Sequence, residues 1–294
     1  MSATRRFGIR GWQRLEDFYP PRVKPAEMLG HYAEAADVVE TPNTFNGIPK
    51  PERLAEWADQ APDDFRIDVI AFGGLTLHQR RPGDSGPIGR RSWQEVSVVP
   101  PDVLFDDFAQ ALAPLAEAGK LGCVVLQFPS WFGAGDEARE YLGHVSGLLP
   151  ELPLAAEFRH PSWDVPSQQD ATLECLIDLE MALVVADFPP DRPEAGPPTV
   201  AVTTDRLSVV RLHGRDADAW PRTEANPVES MAHTYSDAEL SPWVARVREL
   251  SEEAAEVHVL VGTTPYAEAL DAADRLKTAI AEAEEAEARW GYVP

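Results

Sequence analysis

A short segment in the middle of the chain carries several side chains capable of chemistry. The apolar residues 152–156 predict a buried strand, which runs directly into Glu157, Arg159 and His160, with Trp163 close behind. In parallel barrels, catalytic and binding groups collect where the strands end, at the C-terminal mouth. We therefore expect this segment to supply an acid or base, a cation, a proton carrier and an aromatic wall to a site.

The elements that would position this segment form a repeating pattern. Apolar segments rich in β-branched residues, typical of strands buried on both faces, recur eight times. They cover residues 7–9, 37–39, 65–71, 123–128, 154–158, 182–186, 207–212 and 257–261. Helical patterns are expected at residues 25–36, 51–60, 102–118, 136–149, 168–180, 236–251 and 266–289. Alternation of strands and helices implies parallel pairing, so the sequence predicts an α/β fold: one TIM-like (β/α)8 barrel domain of parallel strands over residues 1–294.

Several connections have signals of their own. Residues 189–198 contain five prolines, which forbid a regular helix and predict an irregular crossover between strands six and seven. Ser236 and Glu239 fit a capping box at a helix start. Two long loops, residues 79–101 and 214–235, are expected to overhang the mouth. The first is locally basic, and we interpret it either as a lid that attracts an anionic ligand or as a solvated insertion.

Composition limits the classes of partner. The net charge is −23, and only four of the 26 basic residues are lysines. A dispersed acidic surface repels phosphates and argues against a nucleic-acid partner, and a salt-adapted source is a hypothesis that explains it. Cys123 and Cys175 are expected to be buried free thiols in a reducing compartment. No apolar run reaches the about 18 residues that cross a bilayer, and no signal-peptide core is present. We expect a cytoplasmic protein without a membrane partner; its oligomeric state stays open.

The chain also carries a series of motifs in a characteristic order. They are Gly8-Ile-Arg-Gly-Trp12, Val39-Glu-Thr-Pro-Asn-Thr-Phe45, Thr76-Leu-His78, Leu126-Gln-Phe-Pro129, Glu157-Phe-Arg-His-Pro-Ser-Trp163, Ala186-Asp187, Val210-Arg-Leu-His-Gly214 and Tyr235-Ser-Asp237. In this order they resemble the YecE-like family (domain of unknown function 72) over nearly the whole chain. The resemblance implies a TIM-like barrel and no particular reaction.

The chain departs from the pattern of that family at several positions. Arg10 stands where the family commonly has serine, and Ile70 stands where it usually has lysine. Pro42 and Asn46 interrupt the usual second-strand motif, and residues 261–264 replace a usual Phe-Asn-Asn ending. Potential donors are lost, so we expect an altered ligand or activity.

Because the ends of all barrel strands converge, we expect residues distant in sequence to be neighbours at the mouth. The candidate catalytic residues are Glu40, Glu157, Asp187 and His213. The candidate ligand-binding residues are Arg10, Trp12, Asn43, His78, Gln127, Arg159, His160, Trp163, Arg211 and Arg215.

The arginines allow two interpretations. Arg159, Arg211 and Arg215 can form a fork-shaped site for a carboxylate or phosphate, because guanidinium groups bind these anions bidentately. Alternatively, they pair with the acidic residues of the mouth and fix its shape. The second interpretation is weaker for Arg215, which follows Gly214 in a loop.

The acids, tryptophans and histidines are similarly ambiguous. Glu40 and Glu157 can act as acid and base, and with Trp12 and Trp163 as stacking walls they would suit glycoside hydrolysis. The alternatives are ion-paired scaffold carboxylates and tryptophans that only pack. A metal site would need five ligands in all: Glu157 and Asp187 together with the histidines His78, His160 and His213. No motif with the spacing of metal ligands supports such a site. His160 can instead be structural and bonded to the backbone.

The sequence thus predicts an enzyme of hydrolase or isomerase type that acts on a small anionic or polyhydroxyl metabolite. Arg159 and Arg211 would hold the anion, Glu157 or Glu40 would serve as acid or base, and His213 would assist. No cofactor is predicted. The alternative is a non-catalytic ligand-binding or regulatory barrel, and a third interpretation is metal-dependent processing of nucleic acid.

Overall fold

A computed structural model describes residues 3–15, 18–78, 100–189, 198–220 and 230–290. Eight parallel strands close into a barrel in the order β1-β2-β3-β4-β5-β6-β7-β9, and β9 pairs with both β7 and β1. The barrel strands are β1 (Thr4–Arg10), β2 (Val38–Thr41), β3 (Arg66–Ile70), β4 (Leu121–Gln127), β5 (Leu154–Glu157), β6 (Ala182–Asp187), β7 (Leu207–Leu212) and β9 (Glu256–Val261). Two further short strands, β8 (Met231–Ala232) and β10 (Thr263–Thr264), pair in parallel beside the mouth. The predicted TIM-like (β/α)8 barrel is confirmed.

Helices connect most of the barrel strands. They are α1 (Met28–Tyr32), α2 (Pro51–Gln60), α3 (Asp102–Glu117), α4 (Asp136–Leu148), α5 (Pro166–Asp178), α6 (Asp237–Glu253) and α7 (Tyr266–Trp290). The capping box at the start of α6 is confirmed, because the Ser236 hydroxyl accepts from the Glu239 N–H and the Glu239 carboxylate accepts from the Ser236 N–H. The signal is local, because both hydrogen bonds join residues only three positions apart.

The sequence makes predictions about the first helix and about the crossover before β7, and the structure describes part of both. The first helix is shorter than predicted: residues 25–27 and 33–35 form turns around α1, and Gly30 lowers the helix propensity of so short a segment. In the sixth crossover, residues 198–206 form no helix, and residues 190–197 lie outside the described chain. Most of the first predicted overhanging loop, residues 79–99, and residues 221–229 of the second also lie outside it.

The barrel interior consists of layers of different polarity. A small apolar cluster contains only residues of the strands and of their immediate extensions, among them Val38, Val125, Ala155 and Val209. Because successive side chains of a strand alternate between its two faces, the residues two positions further on also face inward. They are Glu40, Gln127, Glu157 and Arg211, all buried. A charged layer therefore covers the apolar one at the C-terminal end.

The two cysteines differ in burial. Both are free thiols; Cys123 is buried in β4, whereas Cys175 is only partly buried because it lies on the surface helix α5. In the described part of the chain, no helix combines the length and apolarity needed to cross a membrane.

A close approach between β1 and β2 gives a test of the barrel packing. A Cβ atom at Gly8 would lie 1.8 Å from the Val38 carbonyl oxygen and 2.9 Å from the Tyr32 hydroxyl. That hydroxyl bridges the two strands, accepting from the Ile9 N–H at 2.9 Å and donating to the Val38 carbonyl at 3.0 Å. There is no free volume for a methyl group.

We expect Gly8→Ala to lower the free energy of unfolding by about 1–3 kcal/mol or more, because overpacking forces the backbone apart. The matched control is Gly147→Ala in α4, where no atom lies within 4 Å of the added Cβ. This control should gain about 0.5–1 kcal/mol, because alanine suits a helix better than glycine. Urea denaturation of both variants measures the difference, and equal stabilities would contradict the proposed close packing.

Candidate functional site

The centre of the mouth is built around the Arg211 guanidinium, which joins two glutamates from different strands. Its Nε lies 2.8 Å from Glu40 Oε2, and its Nη2 donates to Glu40 Oε1 at 2.8 Å. Its Nη1 donates to Glu157 Oε2 and, at 3.2 Å, to Gln127 Oε1. Arg211, Glu40 and Glu157 are each at most 1 % exposed, so one positive and two negative charges are held together away from water, and further cations are needed to compensate them.

Arg159 approaches Glu157 from the other side. Its Nε donates to Glu157 Oε1 at 2.9 Å, and its Nη2 donates to Gln127 Oε1 at 2.9 Å. The guanidinium carbon also lies 5.1 Å from the centre of the Trp220 ring, over its face. Arg159 is thus held by a carboxylate, an amide and an aromatic face, a cation–π arrangement.

Gln127 retains one unused donor. Its Oε1 accepts from both arginines, so its Nε2 must face away from them. Gln127 is fully buried, and Nε2 has no hydrogen-bond partner among the described residues. A buried donor without an acceptor costs free energy, so the position suits a ligand oxygen.

His213 is joined to the same carboxylate. Its Nε2 lies 2.9 Å from Glu157 Oε2, and its ring stacks on Phe188 with the ring centres 5.6 Å apart. Burial lowers the pKa of His213 to about 4, although Glu157 opposes this shift. The neutral ring must donate through Nε2, because an ionised carboxylate only accepts. Its Nδ1 is therefore left with a lone pair, as a base requires.

Glu157 is held in its charged form. Burial by itself raises the pKa of a carboxyl group, but Arg211, His213 and Arg159 outweigh it and hold the pKa of Glu157 well below its usual 4.5. A carboxylate in this state cannot act as a general acid near neutral pH. In this state Glu157 is an acceptor that orients His213, and the acid or base role expected from the sequence stays a prediction.

Arg10 adds a third cation to this group. Its Nε lies 3.1 Å from Glu40 Oε1, and burial lowers its pKa to about 10, so it stays charged at neutral pH. We use the name mouth cluster for Arg10, Glu40, Gln127, Glu157, Arg159, Arg211 and His213. With three guanidinium groups against two carboxylates, the mouth cluster carries a net positive charge inside a chain of net charge −23.

Asp187 belongs to a separate group beside the mouth cluster. Arg215 binds it through Nε at 2.8 Å and Nη2 at 3.1 Å, and the Tyr235 hydroxyl donates to it at 2.7 Å. The ion-pair interpretation, which the sequence favoured less for Arg215 than for Arg159 and Arg211, describes Arg215 as well, because Arg215 meets Asp187 at the end of β6. Asp187 is engaged as an anchor for that loop.

Both candidate tryptophans pack within the protein. Trp163 is 2 % exposed; it stacks on Phe158 with ring centres 3.9 Å apart, and its Nε1 donates to the Phe132 carbonyl at 2.6 Å. Trp12 is 3 % exposed and meets Trp57 edge to face at 5.0 Å. The alternative interpretation of packing tryptophans describes them better than that of stacking walls.

The remaining candidates lie around the mouth cluster. His78 is buried next to Thr76 Oγ1 at 3.0 Å, and burial lowers its pKa to about 3. His160 accepts from the Ser162 N–H at 3.1 Å and caps the short 3₁₀ helix Pro161–Trp163, which fits the structural role proposed for it. Asn43 is exposed and lines a rim cavity of about 380 Å³ together with Trp12.

Sequence reasoning left three residues of this region out of the site. Phe188 and Trp220 flank His213 and Arg159, and Tyr235 links Asp187 to the Gly214 N–H at 2.8 Å. Tyr235 stands in the Tyr235-Ser-Asp237 motif, and Trp220 lies in the loop predicted to overhang the mouth, so the sequence placed both near the site without indicating their partners. Phe188 directly follows Asp187 at the end of β6 and had no signal of its own.

Known proteins are similar to this chain in both sequence and fold. The model of the family described as protein of unknown function DUF72 matches residues 5–291. The chain belongs to the DUF72 family. The expected relationship to the YecE-like proteins is therefore confirmed.

Individual DUF72 relatives support this membership. The chain is 28 % identical to the UPF0759 protein YunF of Bacillus subtilis, over 90 % of each chain. It is 29 % identical to the UPF0759 protein YecE of Escherichia coli over 49 % of this chain and 46 % of that protein. Among solved structures, a DUF72 protein of Enterococcus faecalis has a TM-score of 0.78 at 25 % identity, covering 94 % of this chain and 95 % of that one. A DUF72 protein of Thermotoga maritima has a TM-score of 0.74 at 26 % identity, covering 94 % and 99 %.

The departures from the DUF72 motifs now have a structural meaning. Asp68 faces the barrel interior, so Ile70, two positions further along β3, also faces inward. Ile70 is fully buried and adds no charge to the mouth. Arg10, at the end of β1, supplies a cation to the mouth.

The charge state of Glu157 gives a test with a defined sign. Its pKa is lower in the folded than in the unfolded chain, so its ion pairs stabilise the fold fully above about pH 4.5 and this stability is lost as the pH falls further. Glu157→Gln removes the carboxylate that pairs with Arg159 and one of the two that pair with Arg211, and we expect a loss of about 3–5 kcal/mol at neutral pH. The difference between variant and wild type should shrink in acid.

Chemical denaturation at several pH values between about 3 and 7 measures this effect. The matched control is the exposed Glu140→Gln, which should follow the wild type throughout. A constant difference at every pH would contradict an ionised, ion-paired Glu157.

Proposed function

We propose that this protein is an enzyme of isomerase type that moves a proton on a small anionic metabolite at the C-terminal mouth. The observation that carries the proposal is the pairing of a neutral His213 with an ionised Glu157 inside a cluster of net positive charge. Such a histidine takes a proton at Nδ1 while the carboxylate stabilises the imidazolium that forms. The arginines favour the negative charge that develops on the substrate.

An anionic ligand would also correct the low basicity of the free enzyme. The pKa of His213 is about 4 because the ring is buried, which makes it a weak base on its own. A negative charge bound beside it favours the protonated ring and raises its pKa. The base would thus be activated by substrate binding, and the unused Nε2 donor of Gln127 would meet a ligand oxygen.

Hydrolysis of a glycoside receives less support from the geometry. That reaction needs one protonated carboxyl group and one carboxylate beside the sugar. Here Glu157 stays ionised, and both Glu40 and Glu157 are occupied by guanidinium groups. Metal-dependent action at the mouth is also unsupported: among the described residues, the group with metal-ligand spacing lies elsewhere.

A non-catalytic ligand-binding barrel is the second candidate. The observation in its favour is that the charged groups of the mouth cluster already compensate one another, as in a scaffold. The two candidates agree on binding and differ on turnover, so one experiment can separate them.

We expect His213→Gln to retain binding and to lose proton transfer. A thermal-shift screen of sugar acids, sugar phosphates and hydroxy acids identifies binders, and ¹H NMR of the same compounds in D₂O then detects exchange of a carbon-bound proton. The variant should lower the exchange rate by about 10²-fold or more. The matched control is His31→Gln on α1, a histidine distant from the mouth, which should exchange at the wild-type rate.

Two results would count against this proposal, the first against catalysis and the second against the role of His213. Binding without exchange in the wild-type protein favours the non-catalytic barrel. Equal exchange in the wild type and in His213→Gln removes His213 as the base.

Arg10→Gln tests the charge of the mouth cluster. Glu40 keeps its ion pair with Arg211 in this variant, so the cluster survives with one positive charge fewer. We expect the affinity for the anionic binders to fall about tenfold, or about 1.4 kcal/mol. Calorimetric titration measures the change; an unchanged Kd would show that the net charge of the cluster does not select the ligand.

A further inference from the structure

A second polar group lies inside the barrel, towards the N-terminal ends of its strands. It consists of Asp68 on β3, Cys123 on β4 and His258 on β9, and each is fully buried. The carboxylate oxygen, the thiol sulfur and the imidazole nitrogen that they offer lie within 4.8 Å of one another. Three different metal-ligating atoms from three strands therefore meet at one point.

The backbone around this group permits the close approach. Gly122 precedes Cys123, and a Cβ atom there would lie 2.1 Å from Asp68 Oδ1 and 2.8 Å from His258 Cε1. Only glycine leaves these positions to the carboxylate and the ring. The Cys123 N–H also donates to Asp68 Oδ1 at 3.1 Å, which fixes the carboxylate against β4.

The imidazole is oriented by a partner outside the group. His258 Nδ1 lies 2.9 Å from each Asp68 oxygen, and its Nε2 lies 3.0 Å from Glu256 Oε1. Glu256 in turn contacts Arg6, and Arg66 at 3.9 Å. Metal-binding histidines commonly donate their second ring N–H to a carboxylate in this way, which turns the other nitrogen towards the metal.

We propose that Asp68, Cys123 and His258 bind one divalent transition-metal ion of the zinc class at the N-terminal end of the barrel. Thiolate, imidazole and carboxylate are the ligands that zinc takes in proteins. With the thiol deprotonated and the ring neutral, the set carries two negative charges, which match a divalent cation. Three protein ligands leave the fourth position of a tetrahedral ion to a water molecule.

The metal competes with protons for this site. In the metal-free protein the ring of His258 lies 2.9 Å from both carboxylate oxygens of Asp68, and the thiol of Cys123 must lose its proton before it can bind the ion. Because the ligands must lose their protons, metal binding weakens as the pH falls, and the test belongs above neutral pH.

Cobalt provides the test, because a thiolate bound to Co²⁺ gives a charge-transfer band in the near ultraviolet. The full chain, stripped with a chelator and titrated with Co²⁺ at about pH 8, should show this band saturating at a single equivalent, and Zn²⁺ should remove it. Cys123→Ser should lose the band, whereas Cys175→Ser, a partly buried cysteine on α5, should keep it. Absence of the band in the wild type, or its survival in Cys123→Ser, overturns the proposal.

A second measurement needs no variant. X-ray absorption at the zinc edge of the zinc-loaded wild-type protein should show one sulfur at about 2.3 Å with nitrogen and oxygen at about 2.0–2.2 Å. A shell without sulfur overturns the site even if Cys123→Ser fails to fold. In that case Asp68 and His258 form an ion pair only.

Discussion

Electrostatic compensation inside the barrel is the constraint on which the mouth depends. Two carboxylates and three guanidinium groups lie out of water, and an uncompensated buried charge would cost several kcal/mol. Arg211 resolves this by bridging Glu40 of β2 and Glu157 of β5 across the interior. The bridge works only while the strands keep their register, because a shift of one residue would turn these side chains outward. Barrel closure and charge pairing therefore support each other.

The same compensation sets the chemical states of the mouth. Glu157 remains ionised because cations and an imidazole surround it, and His213 remains neutral because burial outweighs its attraction to Glu157. The pKa values of both groups are lowered, which leaves the carboxyl group charged and the imidazole ring neutral. The Glu157 carboxylate is therefore the acceptor, His213 Nε2 is the donor, and His213 Nδ1 keeps a lone pair. A negative charge on a bound substrate would raise the pKa of His213 and so favour its protonation.

The interior holds two polar groups. On β4 the apolar Val125 lies between Cys123 and Gln127, whereas Glu40 and Asp68 are paired in register on the adjacent strands β2 and β3. The lower group is small and tightly enclosed, since Gly122 leaves no room for a side chain. The upper group is larger and flanked by Phe188 and Trp220. The charges of the mouth also act on the lower group, because burial, Asp68 and Glu40 raise the pKa of the Cys123 thiol and Arg211 lowers it.

The sequence by itself determined the barrel and most of its elements. Runs of β-branched residues located the strands, Pro51 marked the start of α2, and Ser236 with Glu239 marked the start of α6. These signals are local, so they survive without knowledge of the fold. The sequence also predicted which residues gather at the mouth, since the C-terminal ends of the strands converge in any barrel of this kind. Only the tertiary structure decided which carboxylate meets which arginine, why Arg215 binds Asp187, and that Asp68, Cys123 and His258 meet. Such contacts join residues up to 190 positions apart, and their distances depend on strand register and barrel closure, which no local pattern encodes.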